Sequence, residues 1–143
     1  DFFRNRKSIR NFLGDRNDGK LEVMTAEFPG VPYFNWFRRL LGTSYSIQRL
    51  GHERCPMYHT SMMSSLKISL AKKSLRQKAG SEDMAVGLGT IATGMEGDEP
   101  ILPPEGLERD LKFLKEIGVQ HAVIFRLGGI DEEYLQVLEQ FSG

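Results

Sequence analysis

The chain has 143 residues, of which 40% are hydrophobic and 27% are charged, and its formal net charge is zero. These values are typical of a soluble globular protein and fit one α/β domain over residues 1–143. No apolar run approaches the roughly eighteen residues of a transmembrane helix, so we expect no contact with a membrane. The single cysteine, Cys55, excludes an internal disulfide and favours a reducing, cytoplasmic location.

The neutral net charge hides an uneven distribution. Residues 1–80 carry 15 Lys and Arg against 6 Asp and Glu, a net +9, whereas residues 81–143 carry 4 against 13, a net −9. The two parts can complement each other within one fold or across a dimer, or the basic part can bind a polyanion or an anionic lipid surface. The lack of aromatic residues between Lys67 and Lys78 makes nucleic acid an unlikely partner.

The first part of the chain predicts a leading helix followed by strand–helix units. The predicted elements are a basic amphipathic helix over 1–13, a strand over 20–26, a helix over 31–41, a strand or loop over 44–50, a short strand over 56–62 and a helix over 61–79. The last of these has apolar residues at helical spacing, which predicts its buried face. That predicted face contains Met63, Leu66, Leu70, Ala71 and Leu75.

The second part of the chain has stronger signals. It predicts strands over 86–91 and 122–127 and helices over 103–118 and 131–141. Pro103 and Pro104 suit a helix start, because a first-turn proline has no intrahelical hydrogen bond to lose. Gly118 suits a left-handed helix end, and Asp131 suits the N-cap of the final helix.

Alternating strands and amphipathic helices predict an α/β fold with four βα units and a parallel sheet. Two architectures fit: the carboxyl-terminal half of a (βα)8 barrel, and a small flavodoxin-like doubly wound sandwich. Because a half barrel leaves two open sheet edges, it needs a second half, from a missing segment or from another copy of the chain. The chain starts at Asp1 rather than at Met, which would suit a fragment, a processed product or a trimmed chain. The single domain could accordingly be a fragment or half of a larger barrel.

The final two units, over residues 84–141, resemble the last two βα units of many (βα)8 barrels. Their connections are compact, and an Arg-x-Gly-Gly turn at Arg126 to Gly129 follows the last strand. The resemblance implies an active site at the carboxyl ends of the strands.

Glu27 is the first catalytic candidate, because it lies at the predicted carboxyl end of a strand, just before a Pro-Gly turn. A carboxylate there can serve as general acid, base or nucleophile, or it can simply cap the following helix. Asp98 lies in a long loop after the strand over 86–91 and is the second candidate. Together they could supply the two carboxylates of glycoside hydrolysis, and Asp98 could equally be part of a solvated loop.

Five further residues are expected to contact a substrate, because each lies near a predicted strand end: His59, Thr90, Arg126, Gly128 and Gly129. Glycines before a helix start allow backbone amides to approach a phosphate. The acidic run 131–133 argues against phosphate at this point, because it places three negative charges at the same helix start.

Cofactor and metal motifs are weak. The glycines of Gly87-Leu-Gly89 lack the spacing of a dinucleotide fingerprint. His52, Cys55 and His59 are close in sequence, but no second cysteine or HExxH pattern supports a metal site, so we expect neither metal nor cofactor.

The sequence therefore favours a hydrolase-like (βα)-barrel enzyme that acts on a carbohydrate or similar polyhydroxylated small molecule. One alternative is a lyase or isomerase that binds a phosphorylated small molecule near Gly128 and Gly129. The other is a non-enzymatic module that binds a polyanion through the basic residues 1–80.

Overall fold

A computed structural model describes residues 24–27, 53–79, 84–92, 100–125 and 127–142. The four strands are β1 (Met24–Glu27), β2 (Glu53–Tyr58), β3 (Ala85–Thr90) and β4 (His121–Phe125). The helices are α1 (Ser65–Ala79), α2 (Pro104–Glu116) and α3 (Glu132–Glu139), with short 3₁₀ helices at Thr60–Met62 and Leu127–Gly129. Within these ranges no helix has the length and apolar character needed to cross a membrane.

All four strands are parallel and form one sheet in the order β1-β2-β3-β4. The register aligns Ala26 with Cys55 and Gly87 with Val123, and an irregularity interrupts β3 between Leu88 and Thr90. The α/β class and the parallel sheet are confirmed. A doubly wound sheet contains a point at which strand order reverses, and the four described strands contain no such point.

One face of the sheet is covered by helices and holds the core. Alternate residues of β2 and β3 point to this helix-covered face, because strand side chains alternate between faces. The core comprises Tyr58, Met84, Val86 and Leu88 from the sheet and its edge, Ala71 and Leu75 from α1, Leu107, Leu111, Phe113 and Leu114 from α2, and Tyr134 and Val137 from α3. The Tyr134 hydroxyl donates a 2.7 Å hydrogen bond to the Leu102 carbonyl, which fixes α3 to the segment before α2.

The opposite face, called the second face below, is lined by Cys55, Met57, Gly87 and Phe125. A Cβ added at Gly87 would lie 2.7 Å from Met57 Sδ, 3.2 Å from the Phe125 ring and 3.4 Å from Cys55 Sγ. These three side chains therefore occupy the space that a larger residue at position 87 would need.

Helix α1 buries only one of the two rows that made up its predicted face. Ala71 and Leu75 are buried as expected, but Leu66 is 71% exposed and Leu70 is 41% exposed. The helix starts at Ser65, and Ser74 joins Ala71 and Leu75 on the buried side. Leu66 and Leu70 lie on a neighbouring row of the helix surface, so the prediction that they are core residues was wrong.

Other predicted elements differ mainly at their ends. Strand β2 starts three residues before the predicted 56, and a 3₁₀ helix precedes α1 where the prediction had one continuous helix over 61–79. The apolar run over 122–127 predicts a strand covered on both faces, but β4 is exposed to partly buried, because it is an outer strand among those described. The predicted elements over 1–13, 31–41 and 44–50 lie outside the described residues.

Gly118 ends helix α2 as predicted. Its φ is +80°, and its amide donates to the Lys115 carbonyl at 3.1 Å while the Val119 amide donates to the Leu114 carbonyl at 3.0 Å. This pair of bonds is the Schellman motif, in which glycine adopts the left-handed conformation without steric cost.

Replacing Gly118 by alanine is expected to lower the free energy of unfolding by about 1 kcal/mol, because an L side chain is strained at this φ. An added Cβ meets no atom within 4 Å, so the cost is confined to the backbone. Urea denaturation measures it. Gly118→Asn serves as the control and should lose less, since asparagine tolerates the left-handed region; equal losses would contradict the assignment.

Candidate functional site at the carboxyl edge of the sheet

Parallel pairing brings several predicted site residues to one edge of the sheet. Glu27 ends β1, His59 directly follows β2, Thr90 ends β3, and Gly128 and Gly129 follow β4. Because the strands are parallel and in register, these positions share the carboxyl edge. Asp98 and Arg126 lie outside the described residues.

Glu27 forms a buried ion pair. Its carboxylate is 4% exposed and accepts hydrogen bonds from the Arg54 guanidinium, at 2.5 Å from Nη2 and 3.1 Å from Nε. The register aligns Glu27 with Pro56, so Glu27 and Arg54 share the helix-covered face with Tyr58. The carboxylate is therefore engaged in the interior, while its predicted catalytic role remains a prediction.

His59 lies on the other side of the sheet. Its ring meets the Phe125 ring edge-on, with centroids 5.7 Å apart, and Phe125 belongs to the second face. The neighbouring residues Tyr58 and Thr60 contact helix α2 on the opposite side. Two of the predicted substrate-contacting residues, His59 and Arg126, have ionisable side chains. The structure describes the position of His59 and not that of Arg126.

The turn after β4 is packed tightly against the end of β3. A Cβ added at Gly129 would collide with the Ile91 carbonyl oxygen and lie 2.6 Å from Ala92 Cβ, whereas one at Gly128 would meet no atom within 4 Å. The Ile91 amide also donates to the Phe125 carbonyl at 2.7 Å. The absence of a side chain at Gly129 therefore allows this turn to pack closely against the end of β3.

The start of helix α3 already holds an anion of its own. Asp131 Oδ1 accepts hydrogen bonds from the Glu133 amide at 3.0 Å and from the Tyr134 amide at 3.1 Å. This confirms the predicted N-cap and occupies the amides that a phosphate would use. The phosphate-binding alternative gains no support from this geometry.

The structure adds a buried polar group, the Asp110 cluster, that was not among the predicted site residues. It consists of Asp110 on α2 with Thr60 and Tyr58 at the end of β2. Asp110 is 0% exposed and accepts a hydrogen bond from Thr60 Oγ1, while Tyr58 lies beside Phe113 with ring centroids 5.8 Å apart. One signal was available in the sequence, because Asp110 shares a helical row with the apolar residues Leu107, Leu111 and Leu114.

Burial raises the pKa of Asp110 above the ordinary carboxyl value. The hydrogen bonds from Thr60 and Arg109 and the positive charges of Arg109 and Lys72 lower this pKa, but they do not cancel the desolvation. The folded chain thus binds this proton more tightly than the unfolded chain does. The contribution of Asp110 to stability is greatest below the unfolded pKa and falls as pH rises through the raised pKa.

The variant Asp110→Asn is therefore expected to remove part of the pH dependence of stability. Unfolding free energies from urea titrations between about pH 4 and about pH 8 should fall more steeply with pH in the unsubstituted chain than in the variant. Glu108→Gln is the control, because it removes a partly exposed carboxylate from the same helix, and it should keep the original slope. Parallel curves for all three proteins would contradict the role given to Asp110.

Cys55 is buried on the second face, and burial, followed by the nearby charge of Glu53, raises the pKa of its thiol. A raised pKa disfavours the thiolate, so the arrangement does not activate Cys55 as a nucleophile. His52 lies outside the described residues. Among the residues that the structure describes, no group of three or more His, Cys, Asp or Glu side chains is placed to hold a metal ion.

Comparisons with protein-family models, with curated proteins and with solved structures found no match to this chain.

Proposed function

We propose that this chain is one half of a (βα)8-barrel enzyme, hydrolase-like, that acts on a carbohydrate or similar polyhydroxylated ligand. The observation that carries the proposal is the strand order, since four parallel strands lie side by side in the order of the chain. Successive parallel strands of a (βα)8 barrel are neighbours in the same way, and such barrels place their active sites at the carboxyl edge.

The outer strands of the described sheet support a second half. Strands β1 and β4 each pair with one described strand, so each has a second edge at which another strand could add. A second copy of the chain, or a missing barrel segment, would supply those strands and would turn the second face into the barrel interior.

Within this proposal His59 is the main substrate-contacting residue, with Thr90 and Gly129 beside it at the same edge. An imidazole can hydrogen-bond to a hydroxyl group and can accept or donate a proton near neutral pH. Glu27 and Asp98 remain the proposed pair of carboxylates. For Glu27 this role requires release of its carboxylate from Arg54, so His59 is the first residue to test.

A ligand screen tests both the substrate class and the location of the binding site at the carboxyl edge. Aryl glycosides and short oligosaccharides are added to the protein, and binding is followed by calorimetry and hydrolysis by product release. His59→Ala should weaken binding of any hit by about tenfold, the loss of roughly one good hydrogen bond. His121→Ala is the matched control, because His121 starts β4 at the opposite edge.

Equal effects of the two histidine variants would contradict the placement of the site. A panel in which no sugar binds or reacts would contradict the carbohydrate assignment. Light scattering on the full chain tests the second half independently, since a homodimer has twice the 16.2 kDa of one chain.

One surface gives specific support to the polyanion-binding alternative. Lys72, Lys73 and Arg76 line a groove along α1. Lys72 and Arg76 also lie over the Phe113 ring, at 4.8 and 5.4 Å from its centroid, so part of their role is packing. Heparin affinity that falls steeply with salt would favour this second function, and salt-independent or absent binding would contradict it.

A further inference from the structure

We propose that Asp110 is a positioning residue for the site: through Thr60 it holds the turn that fixes His59 at the carboxyl edge. The catalytic meaning of this inference rests on the proposed function, whereas its structural part concerns only the location of the His59 ring. Asp110 lies on the opposite side of the sheet from that ring and would not touch a substrate there.

The turn after β2 is closed by backbone hydrogen bonds at both ends. The Met62 amide donates to the His59 carbonyl at 3.1 Å, and the Met63 amide donates to the Thr60 carbonyl at 3.3 Å. Between these bonds, the buried Thr60 hydroxyl donates to Asp110 Oδ2. The side chain of Thr60 thus ties the 3₁₀ helix to α2, and the His59 carbonyl belongs to the same bonded unit.

A second contact prevents the end of β2 from rotating. The Tyr58 ring packs against Phe113, which lies three residues, about one helical turn, beyond Asp110 on α2. Helix α2 therefore holds residues 58 and 60, the two neighbours of His59, on the helix-covered face. Between these two fixed residues, the His59 ring lies against Phe125 on the second face.

Charged and polar groups surround Asp110 on each element packed against it. Arg109 on its own helix places Nε 3.3 Å from Oδ1, Lys72 approaches from α1, and Tyr58 and Thr60 face it from the end of β2. The Tyr58 hydroxyl is buried and has no hydrogen-bond partner among the described residues. Burial of a carboxylate is a poor route to stability alone, so the proposed role of Asp110 is to fix the geometry of the turn.

The test follows the His59 ring by NMR, so it needs no substrate. The chain has three histidines, and His59→Gln identifies which ring signals belong to His59. The edge-on Phe125 ring shifts those signals away from the values of a free imidazole. Five variants are compared with the unsubstituted chain: Asp110→Ala, Asp110→Asn, Thr60→Val, Thr60→Ser and Glu108→Gln.

Removal of the bond in Asp110→Ala or Thr60→Val should move the His59 signals toward free-imidazole values. Asp110→Asn keeps an acceptor and Thr60→Ser keeps a donor, so both should retain the original signals, as should Glu108→Gln on the outer side of α2. Unmoved His59 signals in folded Asp110→Ala or Thr60→Val would overturn the proposal. If neither of these folds, displaced signals in Asp110→Asn or Thr60→Ser would overturn it and retained ones would support it.

With a substrate from the glycoside screen, Asp110→Ala should reduce kcat on the order of 100-fold, the effect of a small misplacement of a reacting group. Asp110→Asn should restore most of that loss. Displaced His59 signals without any sugar turnover would uphold the positioning role and reject the proposed function. Sugar turnover that needs His59 but is unaffected in Asp110→Ala would support the proposed function and reject the positioning role.

Discussion

Replacing Gly129 by alanine is expected to lower the free energy of unfolding by about 3 kcal/mol, the upper range for overpacking a tight contact. The added Cβ would lie 2.7 Å from the carbonyl carbon of Ile91 and 2.6 Å from Ala92 Cβ. Two of the three nearest atoms are backbone atoms, which cannot rotate away as a flexible side chain can. The strand ends of β3 and β4 must then separate, and urea denaturation measures the cost.

Gly128→Ala is the matched control because it makes the same chemical change one residue earlier. Its added Cβ meets nothing within 4 Å, and its φ lies outside the left-handed region, so stability should change by less than about 1 kcal/mol. A similar loss in both variants would show that the effect arises from backbone flexibility of the turn. A small loss in both would contradict the prediction, because it would show that the ends of β3 and β4 move apart at little cost.

The second large effect is expected at the buried pair of Glu27 and Arg54. Replacing Arg54 by Met should lower the free energy of unfolding by about 4 kcal/mol, because it removes the guanidinium from the buried Glu27 carboxylate. Both side chains are less than 10% exposed, so water cannot replace the lost bonds. Thermal and urea unfolding of Arg54→Met measure the loss.

The double variant Glu27→Leu with Arg54→Met tests whether the loss in Arg54→Met comes from the charge of the buried Glu27 carboxylate. Since it removes both charges, it should recover much of the stability lost in the single variant. The exposed pair of Lys112 and Glu108 is the control, and Lys112→Met should cost about 0.5 kcal/mol or less. A double variant no more stable than Arg54→Met would indicate that packing, rather than the loss of the guanidinium from a buried carboxylate, determines the lower stability.

Local signals predicted the second part of the fold well. Pro104 at the first turn of α2, Gly118 just beyond its end and Asp131 at the N-cap of α3 each act through bonds within a few residues. Such features depend on the chain alone, so their residue types and spacing were sufficient to predict them. The parallel sheet followed from the alternation of these helices with short apolar strands.

Features that depend on distant partners could not be predicted in the same way. The guanidinium that binds Glu27 comes from a residue 27 positions later, and the acceptor for Thr60 comes from 50 positions later. The spacing of Leu66 and Leu70 matched a buried face, but tertiary packing determined which helical row met the sheet. The predicted site residues that the structure describes lie near one edge of the sheet, as the predicted parallel arrangement implies, while the orientation of their side chains required the structure.

The order of the sheet also has a consequence for how the chain is made. Strands β2, β3 and β4 each pair with the described strand that precedes them, 29 to 36 residues earlier: Cys55 with Ala26, Gly87 with Met57 and Val123 with Gly87. During synthesis, every strand therefore emerges from the ribosome after the neighbour on which it docks. The sheet can grow one strand at a time as translation proceeds, without waiting for the end of the chain.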